Sequence, residues 1–180
     1  MKKALIVVSQ TEFQPVEYGD TREEIEKAGI EVSVASFDKT EAIGKDGSKI
    51  NVDVSIKEAN VEDYDAVVLI GGHGARLQFL GNQDVIGLVQ SADNAHKVVA
   101  AICIAPRVLA EARLLRDRRA TVHNGDNESA EFLAAEGATY TEEDVVVDTR
   151  IITANGPAAA KKFGQAIAKV LKEGVVSKSI

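Results

Sequence analysis

The sequence predicts an α/β fold, a three-layer sandwich in which helices cover both faces of a mostly parallel sheet. Three observations carry this. Short apolar runs alternate with longer mixed segments along the 180 residues. Runs such as ALIVV at 4–8 and AVVLI at 66–70 are continuously apolar, as strands are when both of their faces are covered. Glycines close the helical stretches and prolines open them.

Residues 4–8 read as the first buried strand and 16–28 as a helix, stopped by Gly29 with Lys27 well placed in its last turn. Glu31–Ser36 alternates and forms a second strand. Residues 41–54, with Gly44 and the Lys45-Asp46-Gly47 turn, suggest a small hairpin excursion. A fully apolar strand over 64–70 ends abruptly at Gly71-Gly72-His73-Gly74. A helix is expected over 83–92, a buried strand over 98–103 and a helix over 106–115. Residues 120–123 read as a short strand, and 128–136 as a helix stopped by Gly137. Val145–Asp148 and Ile151–Ala154 form a second hairpin, and Pro157 opens a last helix to about residue 172. Only 175–180 look frayed. With no repeat and no linker, residues 1–180 are expected to form a single domain.

Composition excludes several classes. A net charge of -7 with no basic run argues against nucleic acid as a partner. One cysteine rules out an internal disulfide and fits a reducing compartment. The apolar run after MKK is too short for a signal sequence, and no stretch is long enough to span a membrane. A cytoplasmic protein is expected.

In open α/β sheets, sites form at the carboxyl ends of strands. Two features fall there: the 71–74 glycine loop and Cys103. A nucleophile elbow needs small residues two positions either side, because the turn brings backbone very close. Ala101 and Ala105 meet that need. A helix opening just after Cys103 is expected to lower the thiol pKa. The alternative is a cysteine that merely fills a core. Gly72-His73-Gly74 lacks a third glycine at Leu77, so it is no dinucleotide fingerprint; no phosphate-binding loop occurs either, and no cofactor is expected. The dispersed histidines His73, His96 and His123, with one cysteine, do not read as a metal site. His96 follows a helix end and is expected to face solvent.

VVLIGGHGA, AICIAP, ATVHN and RIITANGPAAAKKFGQAIAKVL, in that order and spacing, resemble the DJ-1/PfpI superfamily of flavodoxin-like cysteine proteins, related to class I glutamine amidotransferases. The resemblance covers nearly the whole chain. It implies that Cys103 is paired with a glutamate of the first helix, whose protonated carboxyl donates to a thiolate. Glu17 occupies that place, and Glu12 is its main rival. The backbone N–H groups of Gly72 and Ile104 would form an oxyanion hole. His123 matches the histidine of the DJ-1-like branch and would serve as acid/base. The peptidase-like branch has histidine directly after the cysteine; here Ile104 stands instead, which weakens a peptidase reading. Gly71, His73 and Asn155 are substrate-binding candidates.

The resemblance implies a cofactor-independent glyoxalase- or deglycase-like enzyme, acting on small α-oxoaldehydes such as methylglyoxal, or on their adducts. The alternative is a redox-sensing or chaperone-like stress protein with an oxidisable Cys103. A PfpI-type peptidase or amidase comes third. At least a homodimer is implied, with active sites near the subunit contact.

Overall fold

The structure, a computed structural model, describes residues 1–175, so the tail read as frayed lies outside the described residues from 176 onward. The strands are β1 (Lys3–Val7), β2 (Thr11–Phe13), β3 (Glu31–Ser36), β4 (Ala42–Gly44), β5 (Lys49–Ile50) and β6 (Val54–Ser55). Then come β7 (Ala66–Leu69), β8 (Val98–Ile102), β9 (Arg119–Ala120), β10 (Thr139–Tyr140), β11 (Val145–Asp148) and β12 (Ile151–Ala154). The helices are α1 (Pro15–Lys27), α2 (His73–Gln78), α3 (Gln83–Asn94), α4 (Pro106–Glu111), α5 (Glu128–Ala135) and α6 (Ala160–Glu173).

The main sheet has seven strands in the order β11-β12-β8-β7-β1-β3-β6, parallel except for the β11–β12 hairpin. Successive residues of the central strands serve opposite faces. Leu5, Val7, Val67 and Leu69 join one core, shared with α2 to α5; Ala4, Ile6, Ala66 and Val68 join the other, under α1 and α6. That two-sided burial is why these strands are continuously apolar. Gly164 lets α6 settle on α1, because a Cβ there would lie 2.8 Å from the Thr21 carbonyl oxygen and 2.9 Å from Glu24 Cβ. Among the described residues, no helix is long and apolar enough to cross a membrane.

The elements differ from the sequence expectation at several ends. The strand expected to reach residue 103 stops at Ile102, because Cys103 takes a left-handed φ of 65°. The helix expected over 106–115 closes at Glu111, and Arg113 turns left-handed at φ 64°. The strand expected over 120–123 is only Arg119–Ala120, paired parallel with β10, which leaves His123 on a loop. Pro157 opens a 3-10 turn over Pro157–Ala159 before α6 begins.

The elements not anticipated include β2, which pairs with β4 of the hairpin excursion, α2, and the short strands β6 and β10. Gly74 makes the α2 segment read as a loop. Yet a Cβ there would lie 1.8 Å from the Thr11 carbonyl oxygen, so glycine is what lets this helix dock on β2.

Candidate active site

The site forms where the ends of β7 and β8 meet the first turn of α1. Helix α1 opens with Pro15, and the Gln14 side chain caps it by accepting from the Val16 N–H at 2.8 Å. Its buried residues, Glu17, Thr21 and Ile25, recur at every fourth position. Glu17 thus lies on the stripe that faces the sheet. Its side chain is fully buried, and its Oε2 accepts the Gly71 N–H at 2.8 Å. The rival Glu12 is exposed at the rim of the same cavity.

The glycine loop is packed against both partners of this pair. A Cβ on Gly71 would lie 2.6 Å from Cys103 Cβ and 2.8 Å from Glu17 Oε2. Gly72, at φ 113°, leaves no better room: a Cβ there would meet Gln14 N at 2.7 Å. Gly71 returns the contact through its carbonyl, which accepts the Gln14 N–H at 3.1 Å.

Cys103 is half-buried at the elbow. A cysteine in the left-handed region costs on the order of 1–2 kcal/mol, so its surroundings must hold it. They do so through the backbone. Its N–H donates to the Ala154 carbonyl at 2.9 Å, and its carbonyl accepts the His123 N–H at 2.8 Å. The backbone N–H groups of Ile104 and Gly72 favour the ionised form of its sulfur. These are the two donors expected to form the oxyanion hole.

The electrostatics differ from the sequence expectation. Burial pushes the Glu17 carboxyl up to about 7, against the hydrogen bonds from Gly71 and Cys103 that favour its ionised form. The Cys103 thiol moves up rather than down, to about 12. Burial is the first cause; the negative charge of Glu17 and its hydrogen bond follow, and the two N–H donors only partly oppose them. The α4 helix end does not win. Two acids in one dry space cannot both ionise near neutrality, so the pair carries at most one negative charge there, and Glu17 rather than Cys103 gives up the first proton.

These groups open into a cavity of about 490 Å³. Cys103, Glu17, Gly72, Ile104, His73 and His123 all line it. Gly71 lies behind, at the Glu17 carboxyl. Asn155 does not share this space and lines an adjoining cavity instead. His96 is exposed and remote from the cavity lining, as expected.

Sequence reasoning missed Gln14, Lys45 and Arg76 on the wall. Arg76 is anchored by an ion pair with Asp126 at 2.6 Å. Burial pushes the Asp126 carboxyl up, but the hydrogen bonds of Arg76 and Ser129 outweigh it and hold it at about 2. The available signal was position: Arg76 follows the glycine loop at helical spacing. Among the described residues, no group of three or more His, Cys, Asp or Glu side chains gathers in a way that could hold a metal ion.

The model of the DJ-1/PfpI family matches residues 2–170. A protein of Methanocaldococcus jannaschii is 37% identical over 171 residues, covering 95% of this chain and 83% of the other. A deglycase of Pyrococcus abyssi is 30% identical over 168 residues, covering 93% and 99%. The crystal structure of a ThiJ/PfpI domain protein from Brachyspira murdochii superposes with a TM-score of 0.90 at 31% identity, covering 97% and 98%. The order of the strands, the glycine loop beside the cysteine elbow and these matches agree: the chain belongs to the DJ-1/PfpI family.

Proposed function

We propose that this protein is a cofactor-independent enzyme that converts small α-oxoaldehydes, or their adducts with amines, into hydroxy acids through Cys103. The observation that carries the reading is the meeting of the buried Glu17 carboxyl, the Cys103 thiol and the Gly72 and Ile104 backbone in one cavity. The deglycase of Pyrococcus abyssi, 30% identical, adds support for the adducts as substrates.

In this mechanism the Cys103 sulfur forms a bond to the aldehyde carbon while its proton passes to the Glu17 carboxylate. The C=O electron pair moves onto oxygen, which Gly72 and Ile104 N–H groups stabilise. Glu17 returns the proton to that oxygen, giving a hemithioacetal. A high thiol pKa suits this order of events, since the sulfur loses its proton only as the new bond forms. The carbon-bound hydrogen then leaves as a proton, and the adjacent carbonyl carbon is reprotonated, with His123 in reach of the same cavity as acid/base. The thioester that results takes up water and releases a 2-hydroxy acid and the thiol. The aldehyde carbon is oxidised and its neighbour reduced, so the only co-reactant is water. An amine adduct enters the same sequence once its C–N bond breaks and the aldehyde is regenerated.

A second reading keeps one specific observation. The same two N–H donors would hold the oxygens of a Cys103 sulfinate, as a redox-responsive stress protein requires. A PfpI-type peptidase is disfavoured because Ile104 stands where that branch carries its histidine. We further propose a cytoplasmic homodimer or higher homo-oligomer.

The test is lactate formation from methylglyoxal by the wild type, Cys103→Ser and Glu17→Gln. Turnover in the wild type is expected, with none in Cys103→Ser and a loss of about 10²-fold or more in Glu17→Gln. Stoichiometric oxidation of Cys103 without turnover would replace this reading by the second.

A further inference from the structure

Beyond His123 lies a second cavity of about 410 Å³. It shares His123 and Pro157 with the Cys103 cavity, so these two residues stand between the two chambers. The chambers differ in charge. Lys45 and Arg76 face the first, together with Glu12 and Glu17. The second has no lysine or arginine on its wall and one carboxylate, Glu142.

Glu142 makes no ion pair among the described residues, whereas its neighbour Glu143 takes up Arg119. The Glu142 charge reaches into the chamber: after burial, it is the next cause that raises the Tyr140 hydroxyl. The Asn124 side chain lines the same chamber and favours the ionised form of that hydroxyl, while its own Oδ1 is buried and meets no donor. A buried acceptor left without a donor carries a desolvation cost that a ligand N–H would relieve. An open carboxylate fixes the sign of the charge that is welcome. Together they describe a ligand group that is positive and rich in N–H donors.

We propose that this chamber is a subsite for an ammonium or guanidinium group, held by Glu142, Asn124 and Tyr140. The inference rests on the reading of Cys103 as nucleophile for one further step: the carbonyl carbon of a substrate sits at Cys103 while its cationic, amine-bearing half reaches past His123 and Pro157. Asn155 then contacts this half rather than the reacting carbonyl.

Binding is measured without turnover, in the full-length Cys103→Ser protein, by following backbone amide NMR signals during titration with methylguanidinium chloride. Saturable shifts are expected at Asn124, Tyr140 and Asn155. Glu142→Gln is expected to weaken binding about three- to fivefold, the scale of one solvent-screened ion pair, and Glu142→Lys to abolish it. Glu142 is exposed, so both variants are expected to fold. Tetramethylammonium has the charge but no N–H donor, and is expected to bind several-fold more weakly. The proposal is overturned by an absence of saturable shifts at these residues, by affinity unchanged in both Glu142 variants, or by equal binding of tetramethylammonium. Failure of the enzymatic reading shows elsewhere, as an absence of hydroxy acid from methylglyoxal, and leaves this titration intact.

Discussion

Glu17→Gln isolates what a buried ionisable carboxyl does to this fold. The side chain is fully buried and accepts the Gly71 N–H, a bond the glutamine carbonyl can reproduce. The substitution removes the ability to ionise. In the folded protein, burial raises Glu17 from an ordinary 4.5 to about 7. Below pH 4.5 both folded and unfolded chains keep the proton, and the carboxyl is neutral in stability. Between 4.5 and 7 the unfolded chain releases the proton while the folded chain retains it. Stability therefore falls as pH rises through this window, and the loss is complete above the folded value. At about 1.4 kcal/mol per pH unit, the loss amounts to about 3 kcal/mol. The expected result is a variant more stable than the wild type by about 2–3 kcal/mol at pH 8, with the difference nearly gone at pH 4.5. Urea unfolding followed by circular dichroism at both pH values reads this from the midpoints, provided the slopes agree. A gap of equal size at both pH values would refute the reasoning, as would a wild type that gains on the variant between pH 4.5 and 7. The same variant is expected to lose turnover, which makes Glu17 a case of stability given up for chemistry.

The same substitution tests the thiol. With the Glu17 charge and hydrogen bond gone, burial alone holds Cys103 up, and its pKa is expected to fall by roughly one pH unit or more. The pH profile of iodoacetamide alkylation checks this, and an unchanged or higher value would show that Glu17 does not face the sulfur as an anion. Gly74→Ala drives a Cβ to 1.8 Å from the Thr11 carbonyl oxygen and 2.4 Å from Ser9 Oγ. The cost is expected to be about 3 kcal/mol, since a backbone oxygen cannot step aside as a side chain can; a thermal melt within about 0.5 kcal/mol of wild type would contradict the packing. Asp126→Asn breaks the anchor of Arg76 and is expected to cost up to about 1 kcal/mol at pH 7. Because the folded Asp126 value is depressed to about 2, that contribution is present above the ordinary value of 3.8 and lost as pH falls through 2. Melts at pH 7 and pH 2 read it, and a gap that persists undiminished at the lower pH would count against the ion pair.

What the sequence by itself determined was local and periodic. Continuous apolar runs could only be two-sided strands, and their alternation with capped helical stretches dictated a parallel sheet between helices. The glycine loop and the alanine-flanked Cys103 were legible as strand-end features, because tight turns demand small residues at set spacings. Glu17 came from family resemblance. Its burial had a local signal, the shared stripe with Thr21 and Ile25, but a charged residue on such a stripe reads as solvent-facing until its partner is known. Tertiary structure decided the rest. The Cys103 cavity draws its wall from β2, the β4–β5 hairpin, α2 and the loop at His123, segments far apart in the chain that no periodicity connects. Helix α2 escaped notice because its Gly74 answers to a contact with Thr11, not to any local preference. The direction of the thiol shift is the clearest case. The short helix after Cys103 favours the anion by under about 1 kcal/mol, and that much is visible in sequence. Burial and a carboxylate held against the sulfur by the fold are larger and of opposite sign, and they exist only once the chain has closed around them.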